Sequence, residues 1–142
     1  MIVPDVNLLI YAHVDGYSQH DVARRWWGAL LSSTQTVGIV SPVAMGFVRI
    51  VTNRRALSQP LSVDQAVDVV DGWFAQPQVR FLPDTEATAH RAFHLLRRVG
   101  TAGNLTTDAQ IAAHAWEQAA TVATNDADFA RFPEIKITNP LV

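Results

Sequence analysis

The residues of this sequence that could do chemistry are four aspartates. Asp5 follows an apolar N-terminal run, Asp108 opens an alanine-rich segment, and Asp126 and Asp128 follow another short apolar run. Carboxylates that converge on one place raise each other's pKa, so such a group is stable mainly around a divalent cation. With no cysteine and no His pair at ligand spacing, an all-oxygen set favours Mg²⁺ or Mn²⁺ over zinc. Such a cation suits phosphate chemistry, because it can activate a water and neutralise charge on a phosphodiester.

Each acid also has an ordinary structural explanation. Asp5 could cap a helix that begins near Asn7, Asp108 could complement a helix dipole, and Asp126 and Asp128 could be turn residues. Asn7 could hydrogen-bond a metal-bound water or the Asp5 carboxylate, or act as a local cap. The joint placement at one predicted sheet edge favours the cation site.

The elements that must position these acids alternate between strands and helices, which is typical of a parallel sheet in an α/β fold. In such sheets the ligand site lies beyond the carboxyl ends of the strands, where all four acids fall. The predicted strands are Met1 to Pro4, Thr36 to Val40, Val79 to Leu82, Thr121 to Thr124 and Ile135 to Thr138. The predicted helices run from Ser18 to near Leu31, from Ser41 to before Asn53, from Ser62 to near Gln76, from Asp84 to Gly100 and from Thr106 to near Ala119.

Length and composition predict one domain over residues 1–142. The chain has 142 residues, 49% of them hydrophobic, which is enough for a core without disulfides or structural zinc. The N-terminal run lacks a leading basic cluster and contains Asp5 and Asn7, so it does not resemble a signal peptide. No apolar run approaches the about 20 residues of a membrane span. We therefore expect a cytoplasmic protein that does not bind membranes.

Taken alone, the net charge of −2 opposes a nucleic-acid partner, but the charge is unevenly distributed. Residues 22–63 carry five arginines and no acid, so this stretch is +5 and the remainder is −7. Arg49 lies on the helix that follows the second strand, from which it could reach a substrate phosphate. A second basic group, formed by Arg91, His94 and Arg98, shares one helix face and is interpreted as a solvated face.

Aromatic residues are expected mainly in the core. Trp73, Phe74 and Trp116 are predicted to fill it. Trp26 and Trp27 are adjacent, and the apolar stripe of their helix accommodates one of them better than both. Two interpretations follow: one tryptophan lies at an interface, or the stripe is wide and is covered by another helix of the chain.

Four segments together resemble a PIN domain, and more narrowly the VapC toxins of bacterial toxin–antitoxin pairs. The resemblance covers essentially the whole chain, and the Thr-Asn-Asp-x-Asp-Phe segment is its most specific part. The segments are Asp5-Val6-Asn7, Gly46-Phe47-Val48-Arg49, Asn104-Leu105-Thr106-Thr107-Asp108 and the run from Thr124 to Pro133.

This resemblance implies a flavodoxin-like α/β/α sandwich with a central, mainly parallel five-stranded sheet. It also implies a Mg²⁺-dependent endoribonuclease that hydrolyses RNA through a metal-activated water, forms a homodimer and is inhibited by a cognate VapB-type antitoxin. Carried over by position, Asp5, Asp108 and Asp126 are the catalytic metal-site acids and Asp128 is an additional ligand. Arg49, Asn7 and Thr124 are the predicted substrate contacts.

One position departs from the family pattern. PIN domains usually carry a glutamate three residues before an arginine in the helix after the second strand, and here Gly46 stands there, ahead of Arg49. Glycine inside a helix costs about 1 kcal/mol relative to alanine, so we expect something to approach the backbone there. The missing acid leaves an alternative function open: a catalytically weakened module that binds RNA or an antitoxin.

Other enzyme classes fit less well. A phospho-acceptor receiver domain needs paired acids after the first strand and a lysine after the last, whereas Asp5 stands alone and Lys136 lies inside the last strand. The sequence has no Gly-x-Ser-x-Gly elbow, no phosphate-binding P-loop and no Gly-x-Gly-x-x-Gly.

Overall fold

The computed structural model describes all 142 residues and contains one five-stranded sheet. Its strand order is β3-β2-β1-β4-β5, and every neighbouring pair is parallel. The predicted strands are confirmed, and their ends differ from the observed ones by at most one residue. The strands are β1 (Ile2–Pro4), β2 (Val37–Val40), β3 (Val79–Leu82), β4 (Thr121–Ala123) and β5 (Lys136–Thr138).

Six α-helices and two short 3₁₀ segments connect the strands. Ser62 forms the predicted capping box with Gln65, and Gly100 ends its helix with a φ of 85°. The sequence indicates the first helix only through the possible capping role of Asp5, which does cap it. The helices are α1 (Val6–His13), α2 (His20–Leu31), α3 (Ser41–Val51), α4 (Val63–Phe74), α5 (Glu86–Val99) and α6 (Thr106–Glu117), with 3₁₀ turns at Gly103–Leu105 and Ala127–Arg131.

The helices form two layers around the sheet. α1 packs against α2 and α3, α3 packs against α4, and α5 packs against α6. Right-handed crossovers place the two groups on opposite faces, because the order runs β1, β2, β3 in one direction and returns to β4 and β5 in the other. All four residues of β2 are buried, as expected for a strand covered on both faces. This three-layer arrangement confirms the predicted α/β class.

A half-buried histidine joins three helices of the first layer. Nδ1 of His13 lies 2.7 Å from the Leu9 carbonyl oxygen, and the Trp73 indole N–H donates to Nε2 over 3.3 Å. A carbonyl oxygen only accepts and an indole N–H only donates, so the ring is neutral with its proton on Nδ1. The ring also lies edge-on to Phe47, with centroids 5.6 Å apart. Burial lowers the pKa of His13.

Some aromatic residues lie elsewhere than predicted. Phe74 is 37% exposed and packs against the 50% exposed Phe81 of β3, so its predicted core position is wrong. Trp27 is buried and its neighbour Trp26 is half-buried, consistent with a stripe that accommodates one of them better. No helix of the chain is long and apolar enough to cross a bilayer.

The second basic group is engaged within the chain. The Arg91 guanidinium stacks over Trp116 at 5.1 Å, and Arg98 pairs with Glu134 and donates to the Arg131 carbonyl oxygen. These contacts hold α5 against the rest of the chain.

Candidate metal centre

The candidate site lies where the strand order changes direction, between β1 and β4. Residues 2–4 pair with residues 121–123, and the Asp5 N–H donates to the Ala123 carbonyl oxygen over 2.8 Å, one residue beyond the end of β1. The residues that follow the two strands therefore emerge side by side at the carboxyl edge of the sheet.

Asp5 and Thr124 connect these two segments. Asp5 is 4% exposed; its Oδ1 accepts from the Val6 N–H at 2.7 Å and its Oδ2 from the Thr124 hydroxyl at 2.8 Å. The same hydroxyl accepts the Asp126 N–H over 2.9 Å, and Thr124 is itself 2% exposed. One buried hydroxyl thus fixes Asp5 relative to the Asp126 turn.

Asp108, Asp126 and Asp128 form the acidic group of the site. One carboxylate oxygen from each lies within 4.8 Å of the others. Asp126 Oδ1 accepts the Asp128 N–H over 2.9 Å, which fixes the turn, and Asp108 lies in the first turn of α6. Asp5 is outside this 4.8 Å group and is linked to it through Thr124.

Burial and mutual repulsion perturb the site carboxyls. Burial, and then the negative charges of Asp5, Asp126 and Asp128, raise the pKa of Asp108 to about 7. Burial also raises the pKa of Asp5, against the hydrogen bonds from Thr124 and Val6, and the charge of Asp126 adds to the rise. The four predicted acids therefore repel one another, as expected of a site that gathers positive charge.

The residues present fit a divalent cation. All the candidate ligand atoms are carboxylate oxygens, which suit Mg²⁺ or Mn²⁺, and a cation between them would remove the repulsion that raises the pKa of Asp108. Asp108 and Asp126 are half-buried and Asp128 is exposed, so the group is open to solvent on one side.

Asn7 and Arg49 are less closely tied to this group. Asn7 is the second residue of α1, and the Asp5 carboxylate accepts from Val6 and Thr124 rather than from the Asn7 amide. Arg49 is exposed in the last turn of α3 and takes part in none of the ion pairs of the chain. Its guanidinium is therefore free to contact a ligand.

Gly46 lies beside the segment that carries Asp5. A Cβ at this position would lie 3.5 Å from Val6 Cγ2 and 4.0 Å from Arg49 Nη2. Both are ordinary contacts, so no other part of the chain approaches the Gly46 backbone unusually closely. Position 46 has room for a side chain next to the residue that follows Asp5.

A second side-chain pair on α6 has no counterpart among the sequence predictions. Nε2 of His114 lies 2.7 Å from Asp84 Oδ1, and His114 is 3% exposed. The pair ties the last turn of α6 to the segment that follows β3. The two residues are 30 apart in the chain and match no spacing rule.

Comparison with known proteins gives the family. The PIN domain profile matches residues 2–135. The chain is 41% identical over 141 residues to ribonuclease VapC33 of Mycobacterium tuberculosis, a match that covers 99% of both chains. It is 35% identical to ribonuclease VapC43 of the same species, covering 99% of this chain and 96% of that protein.

Solved structures share the fold at lower identity. Mycobacterium tuberculosis VapC20, a sarcin-ricin loop cleaving toxin, superposes with a TM-score of 0.72 at 19% identity and covers 96% of this chain and 99% of that one. VapBC2 of Rickettsia felis, bound to a DNA fragment from its promoter, gives a TM-score of 0.70 at 23% identity over 98% of each chain. By profile, sequence relatives and fold, this chain belongs to the PIN-domain family and, within it, to the VapC proteins.

Proposed function

We propose that this protein is a Mg²⁺-dependent endoribonuclease and the toxin of a VapBC-type module. The observation that carries the proposal is the meeting of Asp108, Asp126 and Asp128 within 4.8 Å, with Asp5 fixed beside them. The names of the sequence relatives, which are ribonucleases, support it.

All four acids are assigned to holding the cation. Asp108, Asp126 and Asp128, with Asp5 next to them, would hold the cation; Mn²⁺ could replace Mg²⁺. When bound, the cation orients and activates a water and neutralises charge on the phosphodiester. In the cation-free protein burial and the neighbouring acids raise the pKa of Asp108 to about 7, so near neutral pH this carboxyl must release a proton when it binds the cation.

The remaining predicted residues receive separate roles. Arg49, exposed and without an acidic partner, would contact a substrate phosphate, and Asn7 would contact RNA from the first turn of α1. Thr124 is assigned to positioning rather than to substrate contact, because its hydroxyl is buried and already bonded to Asp5 and Asp126.

The proposed partners are RNA, an antitoxin and a second copy of the chain. RNA is the substrate, a VapB-type antitoxin is the inhibitor, and the protein acts as a homodimer in the cytoplasm. Solved complexes of VapBC proteins with this fold, such as that of Rickettsia felis, support the antitoxin as partner.

The test is cleavage of total RNA by the purified protein with Mg²⁺ and with EDTA. Cleavage should require Mg²⁺ and fall at least about a hundredfold in Asp108→Asn and Asp126→Asn, because such sites accelerate the reaction mainly by stabilising the charge of the transition state. Asp68→Asn removes an exposed acid on α4 and serves as the matched control. Equal cleavage by all three variants would indicate a contaminating nuclease and contradict the proposal.

Gly46 supports a second candidate, a module that binds RNA or an antitoxin without efficient cleavage. The site then has acids from three segments and none from α3. RNA that is bound but left intact with either Mg²⁺ or Mn²⁺ would favour this function over the nuclease.

A further inference from the structure

A cleft of about 860 Å³ lies apart from the acidic group. It is an open cleft lined by the end of α1, the start of α2 and the loop after α3, and none of the four site aspartates lines it. Its volume is within the range of about 300–1,000 Å³ that is typical of small-molecule sites. The cleft therefore has room for a ligand of nucleotide size.

One face of α2 forms a wall of this cleft. His20, Arg24, Trp27 and Gly28 all line it, and their spacing of i, i+4, i+7 and i+8 places them on one side of the helix. A Cβ on Gly28 would meet no atom within 4 Å. There is therefore free space beside Gly28, and the guanidinium of Arg24 lies one helical turn away.

Aromatic rings provide apolar surface in the same cleft. Tyr17 lines it and is held edge-to-face on Tyr11, with ring centroids 5.1 Å apart. Trp27 also borders the cleft but is only 5% exposed, so Tyr17 is the ring available for stacking. Aromatic side chains in such positions accept flat, unstacked bases, a contact worth about 1–3 kcal/mol per base.

The charge around the cleft favours phosphate. Arg24 is exposed and takes part in no ion pair, and exposed Arg54 and Arg55 directly precede Ala56, which also lines the cleft. Asp15 is the one acid in the lining. All three arginines belong to the acid-free stretch of residues 22–63.

His20 offers an acceptor. Its Nδ1 lies 2.7 Å from the Tyr11 carbonyl oxygen and therefore carries the proton in the neutral ring, which leaves Nε2 to accept a hydrogen bond. A ribose 2′-hydroxyl is a donor of the required kind, and it distinguishes RNA from DNA.

We propose that this cleft binds one unstacked nucleotide of a single-stranded RNA, with the base against Tyr17 and a phosphate at Arg24. The inference rests on the proposed function, because it takes RNA as the ligand, and it adds a binding subsite separate from the four aspartates. It follows that RNA affinity and RNA cleavage depend on different residues.

The experiment blocks the cleft without disturbing the acids. Gly28→Leu fills the open wall, and Gly72→Leu is the matched control: Gly72 is also helical, also has no atom within 4 Å of its Cβ position, and lies outside the cleft. Affinity for a fluorescein-labelled single-stranded RNA of about 12 nucleotides is measured by anisotropy in EDTA, so that cleavage does not interfere. We expect binding about fivefold or more weaker in Gly28→Leu, and unchanged binding in Gly72→Leu.

A second variant keeps the test decisive if Gly28→Leu folds poorly. Arg24→Gln changes an exposed side chain and should reduce the slope of log affinity against log salt by about 0.7, the value for one phosphate contact to a single strand. Uridine 5′-monophosphate should compete for the cleft in the wild type, whereas inorganic phosphate at the same concentration should not.

The outcomes separate this inference from the nuclease proposal. If both Gly28→Leu and Arg24→Gln bind RNA with wild-type affinity, the proposal that the cleft binds RNA is wrong. Mg²⁺-dependent cleavage by the same preparation would still support the nuclease proposal. If Gly28→Leu loses RNA affinity and the wild-type protein cleaves no RNA, the result supports RNA binding in the cleft and contradicts the nuclease proposal. If Gly28→Leu instead weakens a protein partner and spares RNA, the cleft is a protein site and the inference is wrong.

Discussion

The hydroxyl of Thr124 donates a 2.8 Å hydrogen bond to Asp5 Oδ2, although the two residues are 119 positions apart in the chain. The same hydroxyl accepts the Asp126 N–H, so it stands between two of the candidate site acids. The relative position of Asp5 and Asp126 therefore depends on one buried oxygen atom.

Replacing this hydroxyl should weaken both the fold and the cation site. Thr124→Val keeps the shape but leaves the Asp126 N–H and one Asp5 oxygen without a partner, which should cost about 1–3 kcal/mol of unfolding free energy. Urea unfolding measures this loss, and calorimetric Mn²⁺ titration should show weaker binding. Thr124→Ser retains the hydroxyl and should recover most of the unfolding free energy and of the Mn²⁺ affinity. If Thr124→Ser behaves like Thr124→Val, the loss of the hydroxyl does not explain the weaker fold and cation binding.

The raised pKa of Asp108 predicts how stability depends on pH. Between its ordinary value of 3.8 and its folded value of about 7, the folded state binds more protons than the unfolded state. Without divalent cations the unfolding free energy should therefore fall as pH rises through this window, and the raised pKa of Asp5 acts in the same direction. The protonated form is the one that the cation-free fold favours.

Urea unfolding in EDTA at several pH values tests this dependence. Asp108→Asn should flatten the decline relative to the wild type, with Asp68→Asn as the control. Added Mn²⁺ should stabilise the wild type more at about pH 8 than at about pH 5, because the ligand carboxylates must be ionised. A parallel pH profile in wild type and Asp108→Asn would show that Asp108 is not perturbed as described.

Position 46 should accept a side chain. Gly46→Ala adds a methyl in ordinary contact with Val6 and should raise the unfolding free energy by about 1 kcal/mol through helix propensity. Gly46→Glu should in addition tighten Mn²⁺ binding, measured by calorimetry, and Gly46→Gln is the uncharged control. Equal Mn²⁺ affinity in the Glu and Gln variants would mean that this position does not face the cation.

His13 should be neutral in a single tautomer. Its two hydrogen bonds fix the proton on Nδ1, and its pKa lies below the ordinary 6.5 because the ring is buried. Nitrogen-15 NMR of the imidazole rings should show Nδ1–H with Nε2 unprotonated at pH 6.5. The contribution of His13 to stability is present above pH 6.5 and is lost as pH falls through its lower folded pKa. A protonated ring at pH 6.5 would contradict the bond from Trp73.

Local signals predicted much of the fold. The strand ends were predictable within one residue, because turn and cap residues flank each short apolar run, and Ser62 with Gln65 formed the expected capping box. α1 was harder to predict, since Val6–His13 is mostly apolar and shows little periodicity. Its one clear signal, the capping side chain of Asp5, served equally well as a ligand candidate.

The candidate site was predictable in composition and less so in geometry. Topology brings the acids to one sheet edge, but side-chain directions decide that Asp108, Asp126 and Asp128 form the close group while Asp5 is held by Thr124. Rules based on residue spacing in the sequence do not give side-chain directions. For the same reason, the exposed Phe74 and the pair of His114 with Asp84 could not be predicted.

The placement of β1 beside β4 also has a consequence during translation. Asp126 and β4, the strand beside which Asp5 is held, are synthesised more than a hundred residues after Asp5. A chain interrupted before residue 124 has neither the hydroxyl that fixes Asp5 nor the acids of the final turn. Translation products that stop before residue 124 therefore cannot assemble the site.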